Sequence, residues 1–272
     1  MAQFIDLAPE FERAWQGRDP FEAVAAIEGE VFRHVKSRRT FRFELEGMGY
    51  FAKVHHGVGW REIFKNLLRF KKPVLGARNE YEALALLHRV GVDTMTSHAY
   101  GCRGANPAKL ESFLVTAELK NMTSLEDLCR DWPAHPPAPR FRIGLTRRLA
   151  TMVRTMHAAG LNHRDCYLCH FLLDNATRDE ALPHLYVIDL HRAEIRSAVP
   201  YRYRVKDVAG IYFSSMDIGL TRRDRCRFMK LYSGKSLRRT LEEDGAFWRA
   251  VERAAVSLYR REQIRARRRA QR

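Results

Sequence analysis

The chain has no cysteine framework. Its five cysteines, Cys102, Cys129, Cys166, Cys169 and Cys226, are odd in number and scattered. That excludes a disulfide-stapled secreted fold and suits a reducing compartment. Long apolar runs are absent as well. Nowhere are there the roughly 18 consecutive apolar residues that a membrane span needs, and the opening MAQFIDLAPEFERAW carries acidic residues and no apolar run of signal-peptide length. No internal repeat is visible. The expected location is the cytoplasm, with contact at a membrane surface left open.

Acidic residues are too few to balance the basic ones. Lys and Arg number 48 against 32 Asp and Glu, a net charge of +16. Such an excess implies an anionic partner: nucleic acid, a membrane face or a phosphorylated substrate. No aromatic-basic recognition module supports nucleic acid, so charge alone carries that reading and we set it aside. What is present is ample for a core, since 46% of the 272 residues are hydrophobic.

Residues 9–35 read as mixed helix, with Pro20 as a first-turn residue after Asp19. Residues 40–45 and 50–54 alternate in the strand manner and flank Glu46-Gly47-Met48-Gly49 as a hairpin turn. In residues 60–72, Trp60, Ile63, Phe64, Leu67 and Leu68 share one helical face. Arg61, Lys65, Arg69 and Lys72 share another, and Pro73 ends the pattern. A second helix over 78–90 puts Tyr81, Leu84, Leu87 and His88 in a stripe, with Gly91 at its C-terminal cap. Residues 112–119 form a buried strand, and the proline-rich 131–140 a loop. A long helix from about Phe141 turns Leu145, Leu149, Met152, Val153 and Met156 inward and ends at Gly160. Short strands follow near 171–173 and 185–188, and the chain is helical from Lys206. Seven arginines crowd the last 13 residues, which read as a solvated tail. This order predicts an α+β fold with two unequal lobes, residues 1–119 and 120–272.

The stretch LNHRDCYLCHFLLD, residues 161–174, carries two incompatible signatures. Cys166-x-x-Cys169-His170 has the spacing of covalent haem attachment, which requires an oxidising compartment and axial ligands. A zinc site there would need a fourth ligand, and no second C-x-x-C exists. Both cysteines therefore read as small buried hydrophobes. His163-Arg164-Asp165, by contrast, follows a long helix ended by glycine, the setting of a kinase catalytic loop. Phosphoryl transfer is mostly positioning and charge neutralisation, so few further parts are required. Lys53 in Phe51-Ala52-Lys53-Val54 resembles the strand lysine that holds phosphates. Glu80 is preferred over Glu82 as its helix partner. Asp165 is the candidate base, with Arg164 beside it, and Asp189, at the end of the apolar Tyr186-Val187-Ile188, the candidate Mg²⁺ ligand. Gly47 and Gly49 let backbone approach phosphates, although a full G-x-G-x-x-G is missing and no A-P-E motif is present. The position five residues after Asp165, where a metal-binding asparagine is expected, holds His170. Imidazole is a poor ligand for hard Mg²⁺, so either only one metal is held firmly, or His170, a candidate metal position, meets a phosphate oxygen instead. The residues predict an atypical, bilobal protein-kinase-like fold that uses ATP and Mg²⁺.

LNHRDCYLCHFLLD, YVIDLHRA, KDVAGIYFSSMDIGLTRRDRCRFMKLY, RDPFEAV, GYFAKVHHGVGWREIFKNLL, PVLGARNEYEAL and SFLVTAEL together resemble the lipopolysaccharide core heptose(I) kinases, the WaaP/RfaP family. The resemblance covers nearly the whole chain. It implies ATP-dependent phosphorylation of O4 of the first heptose in the Gram-negative inner core, at the cytoplasmic face of the inner membrane. It also implies that His170 is a family trait. Asp165 carries over as general base, Asp189 as metal ligand and Lys53–Glu80 as ion pair. Adenine is expected near Glu118 and Leu119, and Asp207 as a brace for the catalytic loop. The acceptor is anionic, which suits the basic chain, and acyl carrier protein is a further expected partner. A kinase for another acceptor, such as a protein tyrosine or an aminoglycoside, and a nucleotide-binding pseudokinase are the rival readings.

Overall fold

The computed structural model describes residues 3–35, 38–68 and 74–271. Two units divide the chain, one of residues 1–85, 95–120 and 190–192, the other of 86–94, 121–189 and 193–272. The fold is α+β.

In the first unit, strands β1 (Phe4–Leu7), β2 (Glu30–Val35), β3 (Arg38–Leu45), β4 (Met48–His55), β5 (Ser97–Arg103) and β6 (Glu111–Ala117) form one antiparallel sheet in the order β1-β5-β6-β4-β3-β2. Alternation decides its faces. Phe41, Phe43, Tyr50, Ala52, Val54, Phe113 and Val115 point to one side. There they bury Phe11 of α1 (Pro9–Ala14), Trp15 at its C-terminal cap, and Phe21 and Val24 of α2 (Pro20–Ala25). Asp19 caps α2, accepting a hydrogen bond from the Phe21 amide at 2.7 Å. The sequence read 9–35 as helical, but its last six residues are β2. On that edge strand Val31 and Phe32 are both exposed, so the burial alternation that marks a strand is missing. β1 and β5 were not anticipated either.

The β3–β4 turn is tighter than the four residues expected. Glu46 (φ 50°) and Gly47 (φ 77°) make it alone, and Met48 and Gly49 already pair with Leu45 and Glu44. Two consecutive positive φ angles define the two-residue hairpin turn whose twist matches the strands. Two helices complete the account: α3 (Trp60–Leu68) and α4 (Arg78–Arg89), the latter starting in this unit. Arg69, Lys72 and Pro73, assigned to the first of these from sequence, lie outside the described residues. α4 buries Glu80, Ala83, Leu84, Leu86 and Leu87, while His88 is exposed. The inward stripe therefore carries a carboxylate in place of the histidine expected.

The second unit is mainly helical. It contains α5 (Leu125–Cys129), α6 (Pro139–Ala158), α7 (Tyr201–Ser214), α8 (Arg222–Ser233), α9 (Leu237–Glu243) and α10 (Gly245–Ala270). The inward residues expected of α6, from Leu145 to Met156, are buried. Two small sheets, β10 (Leu185–Val187)-β9 (Phe171–Asp174)-β7 (Met122–Ser124) and β11 (Glu194–Ile195)-β8 (Leu161–Asn162), carry the loops of interest. The Arg-rich end is not a loose tail but the last turns of α10. Glu262 pairs with Arg265 one turn on and Arg269 two turns on, and cations close the helix at its negative end.

Candidate active site

In the first unit Lys53 sits mid-strand, paired with Leu114 of β6 and Thr40 of β3. It faces away from the aromatic core, because its neighbours Ala52 and Val54 face into it. α4 is tied to β6 by the Ser112 hydroxyl, which accepts from the Ala77 amide at 2.9 Å. That tether fixes the first turn of the helix, and Glu80 follows directly. Lys53 donates to Glu80 Oε1 at 2.6 Å; Glu82 turns outward to Arg78 at 2.7 Å. Glu80 is fully buried, and its second oxygen has no hydrogen-bond partner among the described residues. A buried carboxylate held by one cation is stable only while that cation stays.

Glu118 leaves the end of β6 and is gripped by Arg42 through two hydrogen bonds, 2.8 and 2.9 Å. The Arg42 guanidinium holds the Glu118 carboxyl below the usual range. This ion pair occupies the space beside Gly49: a Cβ there would come within 2.0 Å of Glu118 Oε2. Gly49 thus makes room for Glu118, and Gly47 supplies turn geometry. Arg42 had no signal in the sequence, where it is one strand arginine among several. The Glu118 amide donates to Gly49 O at 2.9 Å, and Leu119 follows the strand.

In the second unit α6 ends before Gly160, whose φ of 85° and close approach to the Arg196 carbonyl (1.9 Å from an added Cβ) admit only glycine. The chain then enters β8 and the His163-Arg164-Asp165 loop. Asp207 of α7 organises that loop. One carboxylate oxygen accepts from the His163 amide at 2.7 Å and lies 3.3 Å from His157 Nε2; the other accepts from the Arg164 amide at 2.9 Å. His157 Nδ1 meets the Tyr232 hydroxyl at 2.8 Å. His157 and Tyr232 were not singled out from sequence. The available signal was a histidine inside the buried stripe of α6, where an unpaired ring is costly.

His163 is buried and its ring donates to Ile188 O at 3.0 Å, joining the catalytic-type loop to the strand end before Asp189. Burial pushes its pKa down, so the ring is neutral. Arg164 (φ 73°) pairs with Glu194 at 3.2 Å, and Asp189 (φ 61°) sits in the same left-handed region. Non-glycine residues held there cost roughly 1–3 kcal/mol each. Both flank or carry the carboxylates singled out from sequence.

His170 Nδ1 lies 2.7 Å from the Asp165 carbonyl, which can only accept, so Nδ1 bears the hydrogen. His170 Nε2 faces Asp189 Oδ2, 3.5 Å away. Burial pushes the Cys166 thiol well up and the Cys169 thiol up to about 11.

Comparison with known proteins decides the family. The model of the "Lipopolysaccharide kinase (Kdo/WaaP) family" matches residues 22–232. The chain belongs to this family. It is 52% identical over 256 residues to a lipopolysaccharide core heptose(I) kinase of Pseudomonas aeruginosa, covering 93% of this chain and 95% of that protein. It is 49% identical over 259 residues to its Escherichia coli counterpart, covering 94% and 97%. A solved structure described as WaaP in complex with acyl carrier protein superposes with a TM-score of 0.83 at 46% identity, over 94% of this chain and 99% of that one. The protein-kinase-like fold expected from the sequence is thereby shown.

A kinase of this family implies ATP and, with it, a divalent metal. Among the described residues no three His, Cys, Asp or Glu side chains form a cation cage. Mg²⁺ is usually held by one or two carboxylates together with substrate phosphates and water. Asp189, with His170 Nε2 beside it, fits a metal that arrives with the nucleotide.

Proposed function

We propose that this chain transfers the γ-phosphoryl group of ATP to a heptose hydroxyl of the lipopolysaccharide inner core, O4 of the first heptose. The observation that carries the reading is its 52% identity, over nearly its whole length, to a heptose(I) kinase. Lys53, held by Glu80, binds the α and β phosphates. The Glu46-Gly47 turn and Gly49 backbone lie over them, and adenine is bound at the backbone of Glu118 and Leu119. Asp165 accepts the proton of the attacking sugar hydroxyl. Arg164 is held by Glu194 and, through its amide, by Asp207, which fixes where Asp165 points. Asp189 and His170 would hold Mg²⁺, which would neutralise charge on the phosphates. The lipid-anchored acceptor and ATP place the reaction at the cytoplasmic face of the inner membrane. Among the described residues no helix is long and apolar enough to cross it.

The test is mass analysis of core oligosaccharide from cells lacking the protein. Loss of one inner-core phosphate is expected, and unchanged phosphate content removes the reading. Asp165→Ala should lower turnover at least about a thousandfold while nucleotide affinity is retained. Turnover on peptide hydroxyls alone would instead select the protein-kinase alternative.

A second reading concerns a partner. The related structure carries acyl carrier protein, and a basic chain suits such an acidic protein. A cavity of about 460 Å³ in the second unit is lined by Leu125, Trp132, Leu145, Leu149, Ile211 and Phe228 among others. Its size and apolar lining suit an acyl chain. Mass spectrometry of the purified protein should find an acylated carrier bound; purification free of any carrier counts against it.

A further inference from the structure

The helical face in α3 that reads from sequence as one apolar stripe is split in the structure. Ile63 packs inward at 6% exposure, while Trp60, Phe64 and Leu68 stand out at 50%, 57% and 81%. These three recur every fourth residue, so they form one row along the helix. Trp60 and Phe64 stack on each other, ring centroids 5.8 Å apart, and so prolong the row as a flat aromatic surface. Exposed Arg61 and Lys65 flank it. Over residues 61–72 the sequence holds five cations, Arg61, Lys65, Arg69, Lys71 and Lys72, against one anion, Glu62. β3 begins with Arg38 paired to His55 at the end of β4, five residues before α3 starts. Arg38 therefore sits at the same end of the sheet as the start of α3.

We infer that α3 is a membrane-docking helix that lays Trp60, Phe64 and Leu68 into the headgroup–acyl boundary of an anionic bilayer. Charge complementarity selects the occupant. Arg61 and Lys65 are exposed on the helix itself, and the excess of Lys and Arg over residues 61–72 of the sequence matches anionic headgroups, each cation near such a surface adding to binding. Indole and phenyl rings are favoured at the boundary, and long basic side chains reach back from it to the headgroups. An acidic protein partner also carries negative charge. A single convex row offers such a partner no groove for its side chains, whereas a fluid surface accepts the row as it stands. The inference rests on this exposure and charge, independently of which sugar hydroxyl is phosphorylated. It supplies a way for a soluble catalytic chain to meet a lipid-anchored acceptor.

The test is sedimentation of the full-length protein with vesicles of phosphatidylethanolamine and phosphatidylglycerol, against vesicles of phosphatidylcholine alone. The parent should pellet with the anionic vesicles, and less so as salt is raised. Trp60→Ser/Phe64→Ser/Leu68→Ser should lower the partition coefficient about tenfold or more. The variant's circular dichroism and its phosphorylation of delipidated core oligosaccharide should be unchanged, since the three side chains are already in solvent. Brominated lipid should quench fluorescence in the parent more than in Trp60→Phe. Equal pelleting of parent and triple variant overturns the inference in favour of charge alone. So does a parent that ignores vesicles but forms a dimer, or binds an acidic carrier protein, only while the row is intact. Because the vesicle readouts need no acceptor sugar, failure here leaves the proposed activity standing, and failure of the activity leaves this binding measurable.

Discussion

The two units hold their functional carboxylates in opposite ways. In the first, Glu80 depends on one link, the 2.6 Å bond from Lys53, and keeps an orphaned oxygen in the core. In the second, Asp207 takes two backbone amides and a histidine ring, which is itself held by a tyrosine. On the proposed reading, a single link suits a lysine that meets phosphate and then releases it. A hub serves a loop that must not move. Buried polar groups are costly when half satisfied and rigidifying when fully satisfied, and the two units sit at those two extremes.

Breaking the hub should have the largest effect. Asp207→Ala strands the His163 and Arg164 amides and His157 together, and we expect a stability loss of about 3–5 kcal/mol in urea unfolding with turnover lost. Next comes the single link. Lys53→Met leaves a buried, unpaired carboxylate and should cost about 3 kcal/mol or more while raising KM for ATP. Lys53→Met/Glu80→Leu should recover most of the stability and none of the ATP use. A double variant as unstable as the single one would mean that Glu80 has a further partner.

Titration sharpens the comparison. Burial, with Arg38, Lys53, His191 and His56 nearby, pushes the His55 pKa in β4 down to about 3. The unfolded chain takes up that proton near pH 6.5, so the native state binds fewer protons below this value. Stability is full above about pH 7 and falls as pH drops toward 3, by up to about 1.4 kcal/mol per pH unit for this group. His163 in the second unit is lowered too and acts in the same direction. Urea midpoints between pH 7.5 and 4.5 should show the slope, and His55→Leu should remove only part of it. The smallest effect is expected from Tyr232→Phe, which removes one buried hydrogen bond from His157. It should cost about 1 kcal/mol, lower turnover modestly and leave KM for ATP alone.

Much of this was legible beforehand, for physical reasons. β3 and β4 alternate because one face packs on α1 and α2, and α6 repeats at helical spacing because one side is core. β2 was misread as helix because its exposed Val31 and Phe32 break the pattern, and β5 was missed because Ser97-His98-Ala99-Tyr100-Gly101 has no period. In the candidate site, the residues proposed to carry the chemistry were picked out by motif. Their supports did not. Arg42, His157, Tyr232 and Glu194 act through contacts distant in sequence, and a motif records only neighbours along the chain. Gly49 illustrates the converse: it was read from sequence as room for phosphate, and the space beside it is filled by Glu118.

The line from Tyr232 through His157 to Asp207 gives α8 a stake in a reaction it never touches. In a genetic screen scored by phosphate on the core, lesions along that helix would be counted with those of the nucleotide site. A thermal melt of each purified variant would sort them, separating broken scaffolding from broken chemistry.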